Sequence, residues 1–373
     1  MDWVRGEIVG KGNFATVNLA IPRSQSSQTP PLMAVKSCGV LHSAFLLNEK
    51  SILEELNQCP DIIRCFGKNL SFEKGEKLYN LLLEYASAGD LAGKLRNSGN
   101  NGLPEYDVRR FTKSIVKALH YIHNHGYVHC DIKLQNCLLF CSNQRDGEDV
   151  LKIADFGMAK KAGMKSENFE VRGTPLYMSP EMVMGGEQEP PADIWALGCV
   201  VAEMATGKTA WIHQLDGGMW ELWLRIGIGD EVPKIPTNLS SEGRDFLRKC
   251  FVKDPRNRWT AEMLLNHPFI TDKDDESNRP SPTNPFDFRD WACLNSSETL
   301  DLSSESDHSE QLSPHELKLS LISPAKRLRW LKTNQAPDWS VSKGWRTVRK
   351  AEHIQPSITF YFTNGETKVF DGQ

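Results

Sequence analysis

His129-Cys130-Asp131-Ile132-Lys133-Leu134-Gln135-Asn136 is the stretch on which the reading of this chain turns. It packs an acid, a cation and an amide into one short loop. The Asp131 carboxylate can accept a hydroxyl proton, the Lys133 ammonium can face a phosphate, and the Asn136 amide can bind a metal ion. Phosphoryl transfer asks little covalent chemistry of a protein. It needs an oriented hydroxyl and groups that neutralise charge on the moving phosphoryl. Alone the octet is weak, because polar loops with Asp and Asn are common turns. Its weight depends on whether the partners of such chemistry occur elsewhere in the chain.

The flanking segments supply them. Glu105 to Asn124 has apolar residues at 108, 111, 115, 116, 119 and 122, the spacing of an amphipathic helix leading into the octet. Beyond it, Ile153-Ala154-Asp155-Phe156-Gly157 places a second acid at a strand end. Near the start, Ile8-Val9-Gly10-Lys11-Gly12-Asn13-Phe14-Ala15-Thr16-Val17 reads as strand, glycine turn, strand. Gly10 and Gly12 permit positive φ and close backbone approach, so amide N–H groups there can cover phosphates; the plain alternative is an ordinary hairpin. Leu32-Met33-Ala34-Val35-Lys36 is an apolar strand ending in a lysine, either a solvated edge charge or a phosphate-facing cation. The helix expected over Phe45 to Leu56 bears on that choice. Its Glu49 shares a face with Leu46, Ile52 and Leu53, and a carboxylate among core residues is costly unless paired. Lys36 is the natural partner. Tyr79 to Tyr85 reads as a buried strand running into a connector, Ala86 to Asp90, between two lobes.

After the second acid, Met158 to Val171 is polar with little periodicity, which suits a switchable loop between rigid motifs. It closes on Gly173-Thr174-Pro175-Leu176-Tyr177-Met178-Ser179-Pro180-Glu181. Asp193 opens an apolar helix as its cap, as a brace for the 129–136 loop, or as both. Amphipathic helices are expected near 219–228, 240–252 and 260–266, with Pro268 stopping the last. From about Thr271 the composition changes, first to charge, Pro and Asn, then to an acidic serine-rich stretch, which reads as a flexible tail. Lys318 to Lys350 is basic instead, and Pro324-Ala325-Lys326-Arg327-Leu328-Arg329 is either a nuclear-import or docking run or solvated surface. Ser357 to Phe362, Asn364-Gly365 and Thr367 to Phe370 carry a hairpin signal, and a lone hairpin needs a surface to pack on.

Composition narrows the classes. A chain of 373 residues holds one large or two medium domains, and 39% hydrophobic with 25% charged residues fits a soluble globular protein. A formal charge of −4 and a pI near 6.2 give no reason to expect nucleic-acid binding. No apolar run approaches a membrane span, and the opening residues lack both a signal-peptide core and the second-position glycine of myristoylation. The scattered cysteines form no C-x-x-C pair, so zinc and redox motifs are not expected and reduced intracellular thiols are the default.

In series, the glycine loop, strand lysine, helix glutamate, H-x-D-x-K-x-x-N loop, D-F-G and P-E resemble the protein-kinase pattern across residues 3–270. The resemblance implies an α+β, bilobal fold: a small, mainly antiparallel β lobe with one helix and a larger helical lobe. Residues 271–373 would follow as a largely disordered tail with a terminal hairpin. It implies that Val9, Gly10, Gly12, Val17 and Ala34 enclose ATP, and that Lys36 contacts its phosphates while held by Glu49. Glu84 and Ala86 would offer backbone contacts to adenine, and Asp90 would meet the ribose. Asp131 would orient the substrate hydroxyl, Lys133 would face the γ-phosphate, and Asn136 and Asp155 would hold Mg2+. Glu181 would pair with Arg258. Lys133 and Thr174 look like those of a serine/threonine kinase.

Within the kinases the chain is most similar to plant MAP kinase kinase kinases of the MEKK-like class. The similarity lies in Trp3-Val4-Arg5-Gly6, Met33-Ala34-Val35-Lys36-Ser37, Tyr79-Asn80-Leu81-Leu82-Leu83-Glu84-Tyr85 and Leu264-Leu265-Asn266-His267-Pro268-Phe269, besides the catalytic motifs. It implies a MAP kinase kinase as protein substrate in a stress or hormone cascade, in the cytoplasm and also the nucleus. Ser281, Ser313 and Ser323, each before proline, would then be feedback sites or plain dipeptides. A non-catalytic scaffold and a serine/threonine kinase outside these cascades stay open as alternatives, although the complete acid and metal set disfavours the scaffold. The pattern is broken at Cys130, where most kinases place an arginine that pairs with a phosphorylated activation loop. Activity is therefore expected to depend less on loop phosphorylation, at Ser166 for example. Ala15 and Ser179 are smaller departures, and Thr174 is expected to brace Asp131.

Overall fold

The computed structural model describes residues 2–12, 15–23, 30, 32–141, 148–164, 172–185, 188–211 and 218–271. Ser166, Asn13, Phe14 and the tail after Thr271, with its Ser-Pro dipeptides, basic run and hairpin signal, lie outside the described residues. In chain order the elements are β1 (Trp3–Lys11), β2 (Thr16–Pro22), β3 (Met33–Gly39), α1 (Ala44–Glu55), β4 (Cys65–Glu73) and β5 (Glu76–Glu84). The helical part follows with α2 (Leu91–Asn97), α3 (Glu105–Asn124), β6 (Tyr127–Val128), β7 (Cys137–Phe140), β8 (Val150–Ile153) and β9 (Lys160–Lys161). It ends with α4 (Pro180–Gly185), α5 (Pro190–Thr206), α6 (Gly218–Gly227), α7 (Ser241–Cys250), α8 (Ala261–Leu265) and α9 (Pro268–Thr271).

The first lobe is an antiparallel sheet in the order β1-β2-β3-β5-β4. Its register sets Val17 beside Lys36, Lys36 beside Leu81 and Ala34 beside Leu83, so side-chain alternation turns Val17, Ala34 and Lys36 toward one face. Helix α1 packs on that face through Leu46, Glu49, Ile52 and Leu53, all buried as the spacing predicts. The glycine turn differs from expectation. Neither Gly10 nor Gly12 has positive φ, because β1 stays extended through Lys11 and Gly10 pairs with Val17. Gly10 contributes space instead: a Cβ there would meet nothing within 4 Å.

The second lobe is organised by two helices. On α3 the expected stripe, Val108, Phe111, Ile115, Val116, Leu119 and Ile122, is wholly buried. Helix α5 is buried nearly all round, with Ile194, Trp195, Leu197, Val200, Val201 and Met204 in the core, so it runs through the lobe rather than along its surface. It ends at Gly207, whose φ of 70° and close approach to the Asn100 carbonyl exclude any side chain. Two expectations are corrected here. Asp193 is not a cap, since α5 starts at Pro190 and places Asp193 inside its first turn. Pro268 does not merely stop a helix; it opens α9, where a first-turn proline loses no hydrogen bond.

The Glu181–Arg258 pair forms as expected. Arg258 Nη1 and Nη2 lie 2.6 and 3.0 Å from the two Glu181 oxygens, and the guanidinium also donates to the carbonyls of Pro191, Val252 and Lys253. The arginine side chain has no exposure, so its removal strands a carboxylate and three carbonyls. Arg258→Met is expected to lower the unfolding free energy by about 3–5 kcal/mol in urea titration. A loss below about 1 kcal/mol would mean the pair is not a structural anchor.

Candidate active site

The loop between β6 and β7 is held from below by Asp193. Its Oδ2 accepts the His129 amide at 2.9 Å, its Oδ1 accepts the Cys130 amide at 3.0 Å, and His123 Nε2 lies 2.9 Å from Oδ2. Cys130 takes a left-handed φ of 69°, a strained state for a residue with a side chain. The bracing of both adjacent amides by one buried carboxylate keeps it there. Cys130 Sγ is buried and lies 3.5 Å from the Val128 carbonyl. Burial pushes the thiol well up, and the Asp193 charge adds to this, so the group stays neutral.

Above this brace, the expected groups converge on Asp131, which is 6% exposed. Thr174 Oγ1 donates to Asp131 Oδ1 at 2.8 Å, and Lys133 Nζ reaches both Asp131 Oδ2 at 2.7 Å and Thr174 Oγ1 at 3.0 Å. Asn136 Nδ2 donates to the Asp131 carbonyl at 2.8 Å and to Oδ2 at 3.1 Å. Thr174 is brought in by Gly173, whose φ is 108° and whose absent Cβ would stand 2.7 Å from the Cys130 carbonyl. The chain can pass so close to the loop only as glycine.

Across the cleft, Lys36 Nζ bridges Glu49 Oε2 at 2.8 Å and Asp155 Oδ1 at 2.9 Å. Burial opposes the lysine charge, but the Asp155 and Glu49 carboxylates overcome it and raise its pKa. Burial likewise opposes the Asp155 charge, yet Lys36 prevails and holds that carboxyl at about 2. Glu49, with no exposure, is pushed up by burial against the pull of Lys36. Its other oxygen accepts the Phe156 amide at 3.3 Å. Asp155 also has left-handed φ, 67°, and its side chain is 44% exposed to the cleft. Phe156 stacks edge-on to His129 with centroids 4.8 Å apart, which joins the two acidic motifs through the core.

The fit of these groups to a divalent cation follows from their donors. Asn136 spends its amide N–H on Asp131, which leaves its Oδ1 as an oxygen donor, and Asp155 offers Oδ2. Hard oxygens in this small number suit Mg2+, which takes few protein ligands and completes its shell from phosphate and water.

The residues expected around the nucleotide divide. Val17 is half-buried and Ala34 buried on the inward sheet face, while Val9 is exposed. The Ala86 amide has no partner among the described residues, but the Glu84 amide is taken by the Arg64 carbonyl at 2.9 Å. The Glu84 carboxylate is taken too, by Lys152 Nζ at 2.7 and 2.8 Å. Glu84 therefore has no N–H to offer, which leaves its carbonyl for the backbone contact expected there. One Asp90 oxygen is also committed, as the cap of α2 through the Gly93 amide at 2.6 Å.

Three residues were missed in the sequence. Asn48 Nδ2 reaches the carbonyls of Gly157 and Ala159 at 3.1 and 2.8 Å, so α1 grips the D-F-G turn through the neighbour of Glu49. Lys152 anchors the connector, and Leu138 faces Asp90 across a β-bridge. Nothing local marks any of them, although the polar Asn48 on an inward-turning helix was a usable hint.

An antiparallel lobe with a buried lysine–glutamate pair, set over a helical lobe with these two acid loops, defines a protein kinase. Residues 3–270 match the protein kinase domain family. The chain is 47% identical over 367 residues to mitogen-activated protein kinase kinase kinase 20 of Arabidopsis thaliana, covering 94% of this chain and 100% of that protein. It is 40% identical over 278 residues to kinase kinase kinase 17 of that plant, covering 74% and 71%, and 39% identical over 317 residues to number 18, covering 82% and 89%. The chain belongs to the protein kinase family, and within it to the plant MAP kinase kinase kinases. It is an ATP-dependent serine/threonine protein kinase.

Thr174 supplies a direct test of the site. Thr174→Val removes the hydroxyl shared by Asp131 and Lys133, and kcat is expected to fall about 10–100-fold with KM for ATP little changed. Thr174→Ser keeps the hydroxyl and is expected to stay within about threefold of wild type. Equal losses in both variants would point to a different role, such as phosphorylation of the threonine itself.

Proposed function

We propose that this kinase transfers the γ-phosphoryl of MgATP to serine or threonine of a MAP kinase kinase, with residues in the following roles. Asp131 orients the substrate hydroxyl and accepts its proton, and Lys133 neutralises charge on the phosphoryl as it moves. Lys36, held by Glu49, positions the α- and β-phosphates. Asn136 and Asp155 hold Mg2+, which when bound offsets phosphate charge. Gly10 and Gly12 let backbone approach the phosphates, and Val9, Val17 and Ala34 form the apolar roof over the base. Ala86 supplies an N–H and Glu84 its carbonyl to the base edge, and Asp90 keeps one oxygen for the ribose.

The observation that carries this reading is the paired arrangement of Lys36–Glu49–Asp155 and Asp131–Lys133–Thr174–Asn136. Lys36 stands between two acids and Lys133 between an acid and the Thr174 hydroxyl, each poised to be shared with a polyphosphate. A scaffold has no need of a second cation on the proton-accepting acid. The substrate class is supported by the relatives' names and not by the cleft. A stress or hormone cascade and a cytoplasmic and nuclear location are part of the same proposal.

The test is transfer of label from ATP to a panel of inactive MAP kinase kinases by wild type and Asp131→Asn. Labelling of one or more panel members is expected, reduced at least about 10³-fold in the variant. Labelling of generic substrates alone would discard the cascade assignment, and no labelling by either protein would favour a scaffold.

The neutral, buried Cys130 carries the second part of the reading: its side chain brings no charge of its own to a phosphorylated loop, and of the cations near it, Lys160 and Arg172, Lys160 is already paired with Glu189. Treating the purified kinase with a serine/threonine phosphatase, then removing it, is expected to leave kcat within about twofold. A loss beyond about tenfold would show that loop phosphorylation controls the enzyme.

A further inference from the structure

The sheet of the first lobe has a second face, and its burial is not explained by the strands that form it. Register places Ala20 beside Met33, Val35 beside Leu82 and Ser37 beside Asn80, all turned away from α1. Ala20, Met33, Val35 and Asn80 have no exposure, and Leu82 has 2%. The apolar members form a separate cluster, flanked by the partly buried Trp3 and Phe66. Every residue of it lies in a strand of the sheet. The polar half of the face is closed by Arg5, which donates to Ser37, Asn80 and Glu73. Among the described residues no such cover closes the apolar half. A single layer of strands cannot withdraw its own outward side chains from water; a second layer has to lie on them. Two polar atoms on this side, Trp3 Nε1 and Asn69 Oδ1, are buried without a hydrogen-bond partner among the described residues, as groups beneath an added layer would be.

We propose that the covering layer is the C-terminal segment of this chain, Ser357–Phe370. Strand alternation puts Ile358, Phe360 and Phe362 on one face before the Asn364-Gly365 turn, which makes a small apolar sheet of the kind that packs on another. A hairpin of this size is marginal in water alone and needs such a face. Reach is not a barrier. Residues 272–356 span about 50 Å on average even as a coil, close to the breadth of a domain of about 270 residues. The tether also holds the hairpin at an effective concentration near the millimolar range, enough for a weak docking to persist. The docked segment backs β3, the strand that carries Ala34 and Lys36 on its other side, so the tail becomes part of the lobe that shapes the ATP site.

Met33 provides a built-in probe. Hydroxyl-radical footprinting of the full wild-type chain is expected to leave Met33 protected, while Met184 and Met263, 57% and 48% exposed, oxidise readily. In full-length Phe360→Asp/Phe362→Asp, Met33 oxidation is expected to rise about tenfold or more, with Met204 in the helical core still protected as a sign of intact folding. A photo-crosslinking amino acid in place of Phe360 is expected to link within one chain to β2, β3 or β5. Unchanged Met33 protection in the double variant overturns the proposal, as does an open Met33 in wild type. Crosslinks between chains, with protection lost on dilution, would assign the face to a second copy and also overturn it.

Discussion

The ammonium of Lys36 is the group on which the arrangement depends. It sits between a wholly buried carboxylate and one that opens to the cleft, 2.8 and 2.9 Å away. A buried charge without a partner is costly enough that the surroundings must supply one. Here that requirement joins three separate pieces of chain: β3, α1 and the D-F-G turn. The pair with Glu49 sets the position of α1 against the sheet, and the pair with Asp155 brings the second lobe's acid to the same point. Binding of MgATP would divide these charges anew, since the phosphates compete for the cation and the metal competes for Asp155.

A second constraint is backbone strain held at two places in the site. Cys130 and Asp155 both lie in the left-handed region although neither is glycine. Each precedes or belongs to a group that must point into the cleft, and each conformation is held by bonds from elsewhere. Asp193 on α5 takes both amides flanking the turn at Cys130, and Glu49 with Asn48 on α1 takes groups of the D-F-G turn. The strain is therefore stored locally and balanced by the two most buried helices of the respective lobes. Loss of such a brace would act on catalysis through geometry more than through charge.

Cys130 shows how a single departure alters the logic of the site. The family position beside the catalytic acid usually holds a cation that answers a phosphorylated loop. Here the side chain turns back to a main-chain carbonyl, stays neutral, and leaves Lys160 and Arg172 as the nearby cations. The glycine at 173 brings the activation segment against the same loop, where Thr174 hydrogen-bonds Asp131 and Lys133.

Much was legible in the chain itself because the relevant signals are local. Helical spacing on α3 and α1, the apolar strands and the order of the acid motifs are written within windows of a few to twenty residues. They give the bilobal α+β fold and most of the site. Glu49 was legible for a physical reason, since a carboxylate amid core residues demands a cation. What only the tertiary structure decided are pairings across long separations: Lys36 with Asp155, 119 residues apart; Cys130 with Asp193, 63 apart; and Glu84 with Lys152, 68 apart. The committed Glu84 amide and the extended Gly10 belong with these, because each depends on which strand or loop lies alongside. A sequence specifies each group's chemistry, but whether a donor is free or already spent depends on neighbours that only folding brings within 3 Å.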